Sequence, residues 1–346
     1  MESRSMCVWR KMVWGGVWIG LVSTPIALGS GKNTKRHTRA SHSKKQTPPV
    51  ASAPLGEETA QGTHKDLVYL AVSKHKLLAE LRTLPEFGQE SKVLQVFPVA
   101  IGKQEGDKKE SGDHKTPEGI YFAGQHLDTS RLSPIEYGTR AIPLDFPNLL
   151  DRQFGVTGSG IWLHGAGDDK RMASAQVTRG CVVFHNEDLL KLLPWLNPHQ
   201  GIVSIAEDLP VLNQPEAVKE VETATKEWLH AWANKQLDPY VTAYAASFHT
   251  QGRNRSQFRA YKKNLFARYH KMVVKMDTIR TLTHPKYAVT IMNQHFNGNG
   301  HFVSNGRKIL YWQKLQNRWQ IVGELFDSHR FEPVQYSFVN TIALKK

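Results

Sequence analysis

Cysteine is scarce in this chain of 346 residues, which contains only Cys7 and Cys181. Two cysteines exclude the dense disulfide framework on which many small secreted domains depend. Neither a Cys-x-x-Cys nor a His-Glu-x-x-His spacing occurs, so the sequence lacks the usual zinc-ligand patterns. We therefore expect no metal and no cofactor.

Acidic residues are also scarce, since the chain has 31 Asp and Glu against 45 Lys and Arg, which gives a formal net charge of +14. Such an excess favours a polyanionic partner, namely nucleic acid, an anionic membrane face or a wall polymer with carboxylates, or it is simply a solvated surface. No nucleic-acid-binding motif accompanies the charge. This holds even for residues 253–286, which contain ten basic residues and one acid. We expect no nucleic acid partner.

The first 29 residues have the pattern of a secretory signal peptide or signal anchor. Arg10 and Lys11 precede a mostly apolar segment, residues 12–28, which ends in small residues. The sequence thus predicts an exported protein of the periplasm or cell envelope, attached to the membrane through residues 12–28 if the signal stays uncleaved. Residues 30–65 are predicted to be a basic disordered linker, since residues 31–50 hold six Lys and Arg without an acid.

Beyond the linker, the composition indicates two domains. Residues 66–206 contain many short β-prone runs separated by glycine and proline, which predicts a mostly-β domain. Residues 207–215 are predicted to be a linker. Residues 216–346 begin with helical periodicity, including a helix over 238–248 and a basic helix over 256–269, and end in β-prone runs, which predicts an α+β domain.

The stretch over residues 160–184 carries the clearest chemistry: GIWLHGAGDDKRMASAQVTRGCVVF. A short apolar strand ends at His164, a polar loop follows, and a second strand begins after Cys181. Such a loop can set the imidazole beside the thiol, which lowers the thiol pKa below its usual value of ~8.5 and supplies a general base. Gly180 permits a sharp turn, and the N–H groups of Gly180 and Cys181 could stabilise an oxyanion. The alternative is a buried, inert thiol.

These residues resemble the motif of the L,D-transpeptidase catalytic (YkuD-type) family, in which His-Gly is followed after a gap by Ser/Thr-His-Gly-Cys. His164-Gly165 and Thr178-Arg179-Gly180-Cys181 match it, although Arg179 stands where many members have histidine. That position varies in the YafK-like, cell-shape branch of the family. The segment 112–121 also resembles the family's Lys-Thr-Pro-x-Gly-x-Tyr pattern, and the likeness spans about residues 66–206.

This resemblance implies a β-sandwich-like domain that acts on peptidoglycan stem peptides through a Cys181 thioester. It gives His164 the role of general base and acid, oriented by a backbone carbonyl at Gly165. The acyl group then passes to an amine, as in an L,D-transpeptidase, or to water, as in an L,D-carboxypeptidase that trims tetrapeptide to tripeptide. Arg179, Trp162 and Tyr137 are candidates for substrate binding, with a structural ion pair and a core position as the plainer roles for Arg179 and Trp162.

The C-terminal part, roughly residues 216–328, resembles the SnoaL-like cone fold, which is related to nuclear transport factor 2. Its helix with Trp228 and Trp232 and its final Trp-Gln-Ile-Val-Gly-Glu carry the likeness. That fold serves in enzymes, in binding modules and in homodimers, so it does not decide the function. We expect a separable domain whose basic residues Arg259, Lys262 and Lys263 face a wall polymer. A non-catalytic, wall-binding scaffold is the competing hypothesis for the whole protein.

Overall fold

The structure is a computed structural model that describes residues 67–332, apart from residues 129–131, 169–171, 173–175 and 199. The predicted signal segment (1–29), the whole predicted linker (30–65) and the last fourteen residues lie outside the described residues. No helix in the described part of the chain is both long enough and apolar enough to cross a membrane.

The N-terminal part of the described chain contains two sheets and three short helices. Its strands are β1 (Val68–Ser73), β2 (Leu78–Thr83), β3 (Val93–Pro98), β4 (Ile101–Gly102), β5 (Gly119–Phe122), β6 (Leu127–Asp128), β7 (Arg140–Pro143), β8 (Trp162–Gly165), β9 (Gln176–Thr178), β10 (Val182–Phe184) and β11 (Ile202–Ala206). Its helices are α1 (Pro134–Tyr137), α2 (Leu149–Gln153) and α3 (Asn186–Leu192). One sheet has the order β3-β2-β1-β11-β5 and the other has the order β10-β8-β7-β6, while β4 pairs with β9.

The two sheets share a hydrophobic core, as in a β-sandwich. Leu70 and Val72 of β1 meet Leu163 of β8 and Phe184 of β10 in this core, all fully buried. Alternate side chains of a strand point to opposite faces, so one set from each sheet fills the space between them. The mostly-β, sandwich-like fold that the sequence predicts for this part of the chain is confirmed.

The described C-terminal residues form three further helices, a four-stranded antiparallel sheet and a two-stranded one. The helices are α4 (Pro215–Ala233), α5 (Leu237–Thr242) and α6 (Arg255–Arg268). The strands are β12 (His249–Thr250), β13 (Arg253–Asn254), β14 (Met272–His284), β15 (Tyr287–Gly298), β16 (Phe302–Leu315) and β17 (Arg318–Asp327), of which β14 to β17 form a four-stranded sheet in chain order. The predicted α+β fold is confirmed.

A second hydrophobic core joins the two parts of the chain. Tyr69 and Ala71 of β1 lie in it together with Val289 and Ile291 of β15 and Tyr311 of β16. The β14–β17 sheet therefore packs one face on the N-terminal part and the other on its own helices. Because both faces of β1 are covered, all six of its residues are buried. This shared core counts against the predicted separability of the C-terminal domain.

The helix predicted over residues 238–248 ends early, at Thr242. The backbone then pairs with β17, since the N–H of Ile321 donates to the carbonyl of Ala243 and the N–H of Ala245 donates to the carbonyl of Ile321. Tyr244 and Phe248 still reach the helix-side core, although they do so from a turn. The helical spacing of the aromatic residues thus predicted their burial correctly, although the backbone that carries Tyr244 and Phe248 is not helical.

Lys262 does not belong to an exposed basic face, contrary to the sequence-based expectation. Its ammonium lies 5.1 to 5.3 Å from the ring centres of Trp232, Tyr240 and Phe258. Burial is the main cause that lowers the pKa of Lys262 to about 8, against the attraction of Glu324. An amphipathic side chain buries its stem and, here, its head among aromatic residues, which a net-charge count cannot reveal.

Candidate active site

Two adjacent parallel strands bring the histidine and the cysteine of the motif together. Strands β8 and β10 pair in a register that sets Leu163 opposite Val182 and His164 opposite Val183. Cys181 directly precedes β10. Since side chains alternate along a strand, Cys181 lies on the same side of the sheet as His164, opposite the core residues Leu163 and Val182. His164 and Cys181, 17 positions apart in sequence, are thus brought together by the loop between the two strands.

The imidazole of His164 has a defined orientation. Its Nδ1 lies 2.8 Å from the carbonyl oxygen of Gly165, and the residue is only 3% exposed. Because a carbonyl only accepts, Nδ1 carries the proton and Nε2 is the basic nitrogen. The ring of Tyr137 packs edge-on, with 5.2 Å between ring centres. The Gly165 carbonyl therefore occupies the place that the family resemblance implies.

Asn186 holds the backbone around this histidine, a role that the sequence did not reveal. Its side-chain carbonyl accepts a hydrogen bond from the N–H of Thr139 at 2.9 Å, and its Nδ2 donates to the carbonyl of Ala166 at 2.8 Å. The helix cap is His185 rather than Asn186. Asparagine is common at helix starts because it caps them, so the sequence pattern did not indicate that Asn186 connects two loops.

The thiol of Cys181 is partly exposed and lies in a polar backbone environment. Its Sγ donates to the carbonyl oxygen of Gly160 at 3.4 Å. Burial is the largest influence and raises the thiol pKa, while the backbone N–H of Trp162 and the charges of Arg179 and Lys108 lower it. The predicted depression of the thiol pKa is therefore wrong for the resting site, because desolvation outweighs the neighbouring positive charges.

The turn before the thiol depends on Gly180. Its φ of +129° suits glycine, and a Cβ there would come within 2.6 Å of the Lys115 carbonyl oxygen. The N–H of Gly180 donates to Thr178 Oγ1 at 3.0 Å, and the same hydroxyl donates to the carbonyl of Cys181 at 2.8 Å. The N–H of Gly180 thus already has an acceptor, so it can donate to an oxyanion, as predicted, only if this bond is released.

The three candidate substrate-binding residues surround the thiol and the imidazole unequally. Tyr137 contacts Trp162, with ring centres 5.1 Å apart, and both are half-buried. Arg179 is exposed beside the thiol, whose pKa its charge lowers. Asp168 is also exposed, whereas the neighbouring Asp169 lies outside the described residues.

Within the described residues, no group of three or more His, Cys, Asp or Glu is arranged to hold a metal ion.

Comparisons with known proteins match the two parts of the chain separately. Residues 78–211 match the L,D-transpeptidase catalytic domain, YkuD, and residues 220–325 match the Cds6 C-terminal NTF2-like domain. YafK of Escherichia coli (strain K12), provisionally named an L,D-transpeptidase, is 27% identical over 116 residues, which are 33% of this chain. The match spans 45% of the length of YafK, less than half of that relative.

Two solved structures resemble most of the chain. Bd1075 of Bdellovibrio bacteriovorus has a TM-score of 0.66 and 27% identity, over 75% of this chain and 92% of that chain. Pgp2 of Campylobacter jejuni, a helical cell shape determining protein, has a TM-score of 0.60 and 23% identity, over 76% of this chain and 95% of that chain. The latter likeness concerns the fold. The chain therefore contains an L,D-transpeptidase catalytic (YkuD) domain followed by a C-terminal NTF2-like domain.

Proposed function

We propose that the protein is an exported cysteine acyl-transfer enzyme that acts on peptidoglycan tetrapeptide stems. The bond broken joins the diamino acid to the terminal D-alanine. The observation that carries this proposal is the His164 imidazole, oriented by the Gly165 carbonyl and set beside Cys181 by two parallel strands. Membership of the first domain in the L,D-transpeptidase family supports the same substrate class. Export is part of the proposal, because this substrate lies outside the cytoplasmic membrane.

The raised pKa of Cys181 indicates a neutral thiol in the resting enzyme, with its proton directed at the Gly160 carbonyl. When the substrate carbonyl reaches the sulfur, Nε2 of His164 takes the thiol proton as the S–C bond forms. The tetrahedral intermediate then breaks its C–N bond, and His164 returns the proton to the amine of D-alanine. A thioester on Cys181 remains, and an amine or water takes up the acyl group.

We assign the N–H of Cys181 as the donor to the developing oxyanion. The N–H of Gly180 joins only if its bond to Thr178 Oγ1 is released, so its main contribution is the turn. The backbone N–H of Trp162 interacts with the sulfur and favours its anionic form. Donors fixed by the backbone stabilise charge without having to reorganise during the reaction.

Substrate binding is assigned to the exposed guanidinium of Arg179 and to the ring pair Tyr137 and Trp162. A guanidinium can hold a stem carboxylate through two parallel hydrogen bonds. The two rings, tilted against each other, offer an apolar wall next to the imidazole.

The test is mass spectrometry of purified disaccharide-tetrapeptide incubated with the wild-type protein and with Cys181→Ala, with and without a second stem. A cross-linked dimer supports transpeptidase activity, while tripeptide and free D-alanine alone support carboxypeptidase activity. A wild-type protein that neither releases D-alanine nor forms a thioester would instead be a wall-binding scaffold. Undiminished release by Cys181→Ala would overturn the proposed nucleophile.

A further inference from the structure

The loop over residues 103–118, between β4 and β5, forms a wall beside the thiol. Its Lys115 carbonyl lies against Gly180, and the N–H of Lys103 donates to the carbonyl of Thr178 at 3.0 Å. The charge of Lys108 acts on the Cys181 thiol. A shift of this loop therefore moves the turn that presents the nucleophile.

The far side of the same loop is bound to the NTF2-like domain by Lys286. The ammonium of Lys286 donates to Asp107 Oδ2 at 2.7 Å and also to the carbonyl of Glu118. Asp107 in turn accepts the N–H of Glu118 through Oδ1 at 2.8 Å. Lys286 thus ties the base of the loop to the second domain, where Lys74 of the first domain also donates to the Gly106 carbonyl and to Glu118 Oε1, each at 2.7 Å.

Tyr287, the next residue, fixes the strand into which the loop leads. β5 is an edge strand, and its outward Ile120 N–H and carbonyl are bonded to the Tyr287 hydroxyl at 2.6 and 3.1 Å. Asn148 Nδ2 also donates to this hydroxyl at 2.9 Å. Gly119 allows the approach, since a Cβ there would lie 2.8 Å from the hydroxyl oxygen. A side chain thereby replaces the missing neighbouring strand.

We propose that Lys286 and Tyr287 of the NTF2-like domain are positioning residues for the Cys181 site, acting through the loop over 103–118. The second domain then belongs to the reaction machinery of the first and is more than an appended binding module. The inference rests on the proposed function for its kinetic part. Its structural part concerns the thiol alone and can be measured without a peptidoglycan substrate.

The test compares Lys286→Ala and Lys286→Arg with Arg280→Ala in the full chain. Arg280 lies in the same interface, where it donates to the Leu84 carbonyl and to Glu86. Its substitution therefore removes interface bonds that do not involve the loop over 103–118. We expect Lys286→Ala to lower kcat about tenfold with KM changed less than twofold, because a small misplacement of reacting groups is costly. The arginine variant should restore kcat, and Arg280→Ala should leave it unchanged.

The substrate-free readout is the pH profile of Cys181 alkylation, followed by mass spectrometry of its peptide. Lys286→Ala should shift this profile and Arg280→Ala should not, since only the former removes a bond to the loop that carries Lys108. Tyr287→Phe should shift it in a protein that still unfolds cooperatively, and the lysine variants decide the matter if Tyr287→Phe does not fold. Identical profiles and kcat for Lys286→Ala and Arg280→Ala would overturn the proposal. A wild type without activity would instead refute the proposed function and leave the alkylation result standing.

Discussion

At Cys181, two kinds of influence on the thiol pKa oppose each other, and burial is the larger. We therefore expect alkylation of the resting enzyme to follow a midpoint at or above ~8.5, the value of an ordinary cysteine. Arg179→Gln should raise the midpoint further, because it removes a charge that favours the thiolate. Rates of iodoacetamide labelling between pH 6 and 10 measure this. A wild-type midpoint well below that of free cysteine would indicate a preformed thiolate–imidazolium pair.

His164 should be nearly as important for turnover as the nucleophile. His164→Ala removes the base that takes the thiol proton, and general acid–base help is typically worth roughly 10²–10⁴-fold. The release of D-alanine, measured with equal amounts of folded protein, checks this. Near-normal rates would mean that another group takes the proton.

Asn186 provides a prediction that no local pattern suggests. Asn186→Ala removes the bonds to Thr139 and Ala166, so we expect about tenfold lower kcat and about 1–2 kcal/mol lower stability from the groups left unpaired. Glu187→Ala, an exposed neighbour on α3, is the matched control and should change neither quantity. Equal behaviour of the two variants in turnover and in urea unfolding would contradict the assigned role.

Apolar runs on either side of a polar loop predicted one strand that ends near His164 and another that begins after Cys181, and the structure has both. Asn186, Lys286 and Tyr287 could not be predicted in the same way. Their bonds join segments far apart in sequence, up to 179 positions for Lys286 and Asp107. The thiol pKa was misjudged for a related reason, since burial is set by the whole fold and not by the neighbours in sequence.

Among the elements, the turn from β14 to β15 carries a buried histidine that responds to acid. His284 Nε2 donates to the Ile205 carbonyl at 3.1 Å, and its Nδ1 accepts the Lys286 N–H at 3.2 Å, so the ring is neutral. Burial is the main cause that lowers the pKa of His284 to about 4. Between about pH 4 and 6.5, His284 is therefore protonated in the unfolded chain and neutral in the folded chain.

It follows that the contribution of His284 to stability is complete above pH 6.5 and is lost as the pH falls towards 4. The pKa difference corresponds to about 3 kcal/mol as an upper figure. His284→Gln keeps a donor near Ile205 and does not titrate, so its stability deficit relative to wild type should shrink as the pH falls. Urea unfolding at pH 4.5, 5.5 and 7 measures this. A deficit independent of pH would contradict the assignment.

For the whole molecule, the shared core between the domains changes the expected result of truncation. A chain that ends at Gln214 loses the covering of Tyr69, Ala71 and Phe122 and the bonds of Tyr287 to the β5 edge. An uncovered apolar sheet face and a bare strand edge favour aggregation. We expect the truncated protein to be mostly insoluble and its soluble part to show altered Cys181 labelling. A soluble monomer with wild-type labelling would contradict this.

The exposed basic surface is smaller than the net charge indicates. Arg259 pairs with Asp238, and Lys262 is among aromatic rings, so Lys263 is the member of the predicted trio left for steering. Charge reversal at Lys263 should therefore weaken binding to sacculi only slightly and only at low salt, because exposed charges are screened. Pull-down over a salt series checks this, and a large loss that persists at high salt would contradict it.

Strand β1 has one further consequence, which concerns how such chains diverge. Leu70 and Val72 face the second sheet, while Tyr69 and Ala71 face the NTF2-like domain. Neighbouring positions of one strand therefore pack against different parts of the protein. In homologues whose catalytic domain stood alone, the second set would meet water. Their sequences should then alternate polar and apolar residues along this strand, and an unbroken apolar run should mark those that keep a second domain.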